Sequence, residues 1–122
     1  MRKVLTVLVL FIFSFACLAA GDEWTRADTE RQVVYLALHI IDWGQTRNIA
    51  KNPVLYREVN PILGKHPSMN KVNGYFIVGV LVHTGIAYVL PAEWRKRFQC
   101  VTIGIETGYA VHNYATGIKM NF

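Results

Sequence analysis

Four side chains in an otherwise apolar chain have the types to do acid–base or metal chemistry: His39, Asp42, His83 and Glu106. Two imidazoles and two carboxylates are a donor set that suits Zn²⁺ or a similar divalent ion. His39 and Asp42 stand three residues apart, so a helix presents both on one face. No HExxH, CxxC or other tight ligand spacing accompanies them. The same four groups therefore also suit a hydrogen-bonded network inside a helical bundle, which needs no cofactor. Glu58, in Glu58-Val59-Asn60-Pro61, adds a carboxylate fit for a general base or a further ligand. As a plain structural group it would pair with Arg57 or Arg47 beside an Asn-Pro turn. His112 and Asn113 form one more polar pair. Ser14 and Ser68 are the only serines, and there is no GxSxG elbow, phosphate loop or dinucleotide fingerprint. Serine-nucleophile and nucleotide chemistry have nothing to rest on.

The elements that must position these groups are helices. Tyr35, His39, Asp42 and Thr46 recur at helical spacing, as do Gln99, Thr102, Glu106, Tyr109 and Asn113. Between the two stripes, Val72–Leu90 carries His83 as its only ionisable group, with Gly79 one turn before it. Hydrocarbon penalises every one of these polar groups, so the stripes are expected to face one another across a bundle interior. Thr25 and Asp28 make a capping box for a first helix running to about Lys51. Its apolar stretch, Val33–Trp43, is short for a full span, so that helix either crosses at a tilt or lies partly embedded. Pro53, Pro61, Gly64 and Pro67 require a loop, and Ser68 or Asn70 can cap the next helix. Val72–Leu90 is long and apolar enough to cross a bilayer and is stopped by Pro91. A short basic turn over 91–97 and a last helix over Phe98–Ile118 would complete a transmembrane hairpin.

Composition agrees with lipid as the solvent. Hydrophobic residues make up 52% of the 122 and charged residues 17%, below the roughly 25% usual in soluble domains. The formal charge of +5 includes Arg2 and Lys3, which open a secretory leader. An apolar run over Val4–Phe15 and the small residues Ala16, Cys17, Ala19 and Ala20 complete residues 1–20 as a signal peptide. Cleavage after Ala19 fits best; acylation of Cys17 or retention as an anchor are the lesser alternatives. Residues 21–122 then form one helical membrane domain. The remaining positive charge suits membrane flanks and has no basic stripe that would suit nucleic acid. Cys100 is expected as a small packing residue. Gly104 and Gly108 permit close approach of another helix, either within the bundle or in a homodimer. The charges leave orientation open: a cytoplasmic 46–71 loop obeys the positive-inside rule, but Arg95-Lys96-Arg97 on the other side does not.

Asp42-Trp43-Gly44-Gln45-Thr46, Glu58-Val59-Asn60-Pro61-Ile62-Leu63-Gly64 and His112-Asn113-Tyr114 together resemble small membrane proteins encoded by phages, prophages and Gram-negative bacteria. The Asp-x-Gly-x-Thr and Glu-x-Asn-Pro layout is also similar, over about residues 39–90, to the bacterial membrane proteins grouped as DUF5658. The resemblance implies a helical protein of the inner membrane, supplies no activity, and marks Asp42, Thr46, Glu58, Asn60 and Pro61 for test. The expectation is an all-α membrane bundle of three mature helices, non-enzymatic, working through contacts with other envelope proteins. A membrane-embedded metal protein or metal-dependent enzyme built on His39, Asp42, His83 and Glu106 is the alternative.

Overall fold

A computed structural model describes residues 22–122. The leader expected over residues 1–20, Cys17 included, lies outside the described residues. The described chain is all-helical: α1 spans Arg26–Lys51, α2 Met69–Val89 and α3 Ala92–Ala115, with no strand among the described residues. Thr25 caps α1, accepting from the Asp28 amide while the Asp28 carboxylate accepts from the Thr25 amide. That reciprocal pair satisfies two backbone donors a helix start would otherwise leave orphaned. Ser68 caps α2 through the Lys71 amide.

Two boundaries differ from expectation. Residues 92–97 are the first turns of α3, leaving only Leu90 and Pro91 as the connection. Pro91 supplies a fixed φ just before the helix, and Glu93 complements the positive helix start and pairs with Arg97 one turn on. At the other end α3 stops at Ala115 rather than Ile118. Gly117 takes φ +82°; the Gly117 amide bonds Tyr114 O and the Ile118 amide bonds Asn113 O. This is a Schellman motif, in which glycine occupies the left-handed position without steric cost. It turns residues 119–122 back along α1, where Asn121 N–H donates to Gly44 O and Asn48 to Lys119 O. A Cβ on Gly44 would lie 2.7 Å from the Phe122 ring.

The 52–68 loop and the tight turn at Leu90 and Pro91 set the layout. α1 and α3 run parallel, with α2 antiparallel to both, and α1 touches each of the others more than they touch one another. The start of α1 and the α2–α3 turn share one end, where Asp22 and Glu23 meet Ala92 and Arg95. The 52–68 loop and the chain's last residues share the other. A small apolar core of Leu63, Val72 and Phe76, flanked by Trp43, Ala50 and Tyr75, pins the loop to α1 and α2. Away from it the usual arrangement is inverted. Among the described residues twelve polar or charged side chains are buried against eight apolar ones, while Val34, Ile40, Ile77, Leu81, Ile105 and Val111 face outward. α2 is the one described helix long and apolar enough to cross a membrane.

Candidate functional site

The buried polar groups form one seam between α1 and α3, with α2 closing its side. Asp28 meets Arg95 at 2.9 Å, Gln32 meets Gln99 at 3.1 Å, and His39 meets Glu106 at 2.8 Å, each pair 67 residues apart in sequence. A constant offset means two parallel helices in fixed register, so matching polar positions recur at alternating steps of three and four residues.

At the α2–α3 turn, Arg95 is fully buried and every donor of its guanidinium is used. Nε donates to Ala87 O, one terminal nitrogen to Glu23 O and the Asp28 carboxylate, the other to Asp22 O and Leu90 O. Ala87 O and Leu90 O are carbonyls that the end of α2 leaves without helical partners, so one side chain caps α2, ties down the segment before α1 and pairs with its first turn. Arg31 also pairs with Asp28 and donates to Gln99. The buried Asp28 carboxylate thus accepts from the Thr25 amide, the Thr25 hydroxyl, Arg95 and Arg31.

Further in, each amide is matched. Gln99 Nε2 donates to Asp28 O and Gln32 Oε1; Gln32 Nε2 donates to Thr84 Oγ1 and His83 Nδ1. Since an amide nitrogen only donates, His83 Nδ1 accepts and the ring proton sits on Nε2, which donates to Thr102 Oγ1 at 2.8 Å. Thr102 passes its own hydrogen to Phe98 O or Gln99 O. The Tyr35 ring stacks on His83 with centroids 3.5 Å apart, and on its next turn meets His39.

His39 ties the seam to the backbone of α2. Its Nε2 donates to Phe76 O at 3.0 Å, and a Cβ on Gly79 would stand 3.1 Å from that nitrogen. A carbonyl only accepts, so Nε2 is protonated, and the Nδ1–Glu106 contact holds one further proton between imidazole and carboxylate. Asp42, 5% exposed, accepts from Thr46 and Asn113; Asn113 also donates to Gln45, which donates to Ala110 O.

Of the four groups singled out from sequence, the structure thus joins His39 directly to Glu106. It links His83 to His39 through the Tyr35 ring, and sets Asp42 in a separate cluster on the same seam. They do not form a ligand set. Both nitrogens of each imidazole are engaged in hydrogen bonds, so a metal would have to break them, and among the described residues no three His, Cys, Asp or Glu side chains are placed to hold an ion. Glu58 pairs with neither Arg57 nor Arg47. One oxygen accepts from the Val59 and Asn60 amides, which folds its own loop; the other is buried without a partner, as is Glu106 Oε2. Asn60 bonds the Ile62 amide and the Tyr75 hydroxyl, and Pro61 is exposed in the turn. Tyr109 is half-buried, and His112 points outward while Asn113 points in. Cys100 is exposed rather than packed. Gly104 and Gly108 meet nothing within 4 Å, so packing inside the described chain does not use them.

Sequence reasoning missed Arg95, which sat in an expected surface turn, and Gln32 and Arg31. The signal was present: Asp28 and Gln32 continue the stripe of Tyr35, His39, Asp42 and Thr46 upstream at steps of four and three, and Arg95 precedes Gln99 by four. The chain matches no family model, no curated protein and no solved structure.

Proposed function

We propose that this chain is an integral protein of a bacterial cytoplasmic membrane, with α2 and α3 crossing as a hairpin and α1 crossing beside them, and that it works through lateral contacts with other envelope proteins. The observation that carries the reading is the inverted distribution of side chains: a hydrogen-bonded polar seam inside and an aliphatic surface outside. In water such a surface would aggregate, whereas in hydrocarbon it is the low-energy arrangement. At about 1.5 Å per residue each of the three helices reaches the roughly 30 Å of a hydrocarbon core.

Lysine and arginine counts favour one orientation by a small margin. The end that holds the 52–68 loop carries Arg47, Lys51, Arg57, Lys65, Lys71 and Lys119, against Arg26, Arg31, Arg95, Lys96 and Arg97 at the α2–α3 turn. The end richer in Lys and Arg belongs on the cytoplasmic side, so we assign the 52–68 loop and the carboxyl terminus there. The α2–α3 turn and the start of α1 are then outside, the side to which the leader expected over residues 1–20 would deliver them.

A contact role fits the site because the seam's polar groups bond chiefly to one another, whereas the outward faces of α2 and α3 remain unpartnered among the described residues. The resemblance to phage and prophage membrane proteins supplies the setting, a bacterial envelope whose state such a protein would modulate. A photoreactive residue at Leu81, Ile105 or Val111, in growing cells, tests this. Discrete protein adducts from one face are expected; adducts to lipid alone from all three positions refute the contact role.

A further inference from the structure

The 52–68 loop is built as a frame. The Glu58 amide bonds Lys65 O, Glu58 Oε1 takes the Val59 and Asn60 amides, and Asn60 takes the Ile62 amide while bonding Tyr75. Gly64, at φ +79°, donates to Asn60 O, and Lys71 Nζ holds Leu63 O while the Leu63 side chain is buried beneath. A loop this tied could have folded its aliphatic side chains inward. Instead Val54 is 96% exposed, Leu55 73% and Ile62 68%, with Val59 also outside. Arg57 and Lys65 are exposed among them and without ion pairs in the described chain, and they flank an open hollow of ≈ 430 Å³ whose lining also includes Asn60, Pro61 and Glu58, the two cations outnumbering the one carboxylate.

We propose that this loop is a seat for anionic phospholipid: Val54, Leu55, Val59 and Ile62 dip into the interface, and Arg57 and Lys65 hold a headgroup phosphate at the hollow. The inference rests on the membrane reading above. Three observations choose lipid as the occupant. The loop joins α1 to α2 at the level where α2 leaves the hydrocarbon; aliphatic side chains with flanking cations are the composition that partitions at that depth; and the unpaired charge is complementary to the anionic surface of the cytoplasmic leaflet. The fixed frame keeps the apolar groups from needing to reorganise on contact.

The test uses the full chain in lipid nanodiscs, with Cys17→Ser and Cys100→Ser and a single environment-sensitive fluorophore on Leu55→Cys or, in a second preparation, Ile62→Cys. A third label on Leu81→Cys, mid-way along α2, reports on the membrane reading alone. In discs containing phosphatidylglycerol the loop labels are expected to shift to the blue and to be quenched by a headgroup-level nitroxide lipid. The shift is expected to be lost in zwitterionic discs, at high salt, or with Arg57→Gln and Lys65→Gln. Loop labels that stay open to aqueous iodide in phosphatidylglycerol discs, with Leu81→Cys shielded, overturn the proposal and leave the membrane reading standing. Equal quenching in zwitterionic discs overturns it as well, and so does shielding found only in native membranes, which would assign the loop to a protein partner. Iodide reaching the Leu81→Cys label would overturn the membrane reading itself.

Discussion

Replacing Arg95 should be the most damaging single change in the chain. The side chain is fully buried and donates five hydrogen bonds to acceptors in three segments: the residues before α1, the first turn of α1 and the end of α2. Arg95→Met keeps much of the volume and removes every donor. Four backbone carbonyls lose a partner, and the buried Asp28 carboxylate keeps only Arg31 and Thr25. Breaking a buried ion pair from one side costs about 3–5 kcal/mol. Three of the five bonds, to Asp22 O, Glu23 O and Leu90 O, are only part-buried, so water can replace part of the loss and the lower half of that range is expected. Arg95→Lys should recover little, because an ammonium has three donors in no planar fork and cannot reach all three segments. Adding Asp28→Asn to Arg95→Met should recover part of the loss, since no buried charge is then left over. The assay is reversible unfolding in mixed micelles followed by circular dichroism. A change for Arg95→Met below about 0.5 kcal/mol, the ordinary range of surface substitutions, or full rescue by lysine, would refute the clasp.

Other consequences are equally open to measurement. Gly79→Ala sets a methyl group about 3.1 Å from His39 Nε2 and should lengthen the bond to Phe76 O, costing on the order of 1 kcal/mol in the same unfolding assay. Glu106→Gln, which can still bond His39 Nδ1, should be milder than His39→Ala, which leaves the Glu106 carboxylate without the partner it has now; the reverse order in thermal midpoints would contradict the pairing. Appending a reporter active only outside the cytoplasm after Phe122 should give no signal, whereas one inserted at Ala92 should give signal.

Much of the fold could be read from residues because the governing signals are local. Thr25 with Asp28, Ser68, Pro53, Pro67 and Pro91 mark helix ends by backbone chemistry that needs no tertiary partner. The facing stripes were legible too, since 3.6-residue periodicity places His39 and Asp42 on one face whatever lies opposite. What could not be read was pairing. Its spacing of four from Gln99 puts Arg95 on the polar face, but nothing local names its partners, so Arg95 looked like a neighbour of Lys96 and Arg97. Its role arises from carbonyls 5 and 8 residues back and a carboxylate 67 residues back. The direction of Glu58 was hidden for a similar reason: its Oε1 binds amides one and two residues on, a turn that competes with any ion pair. Sequence likewise could not show that Gly79 makes room for His39 while Gly104 and Gly108 make room for nothing within the described chain.

The central claim is that polar side chains occupy the interior of this bundle and lipid covers its outside. Spin labels placed singly at Val34, Ile40, Leu81 and Ile105, and at Gln32 and His83, test it in liposomes through collision with oxygen, which concentrates in hydrocarbon, and with a water-soluble nickel chelate. The outward positions should be open to oxygen and closed to the chelate, and the two inward positions closed to both. Chelate collisions at Leu81 and Ile105 as frequent as at the exposed loop residue Val54 would contradict the account.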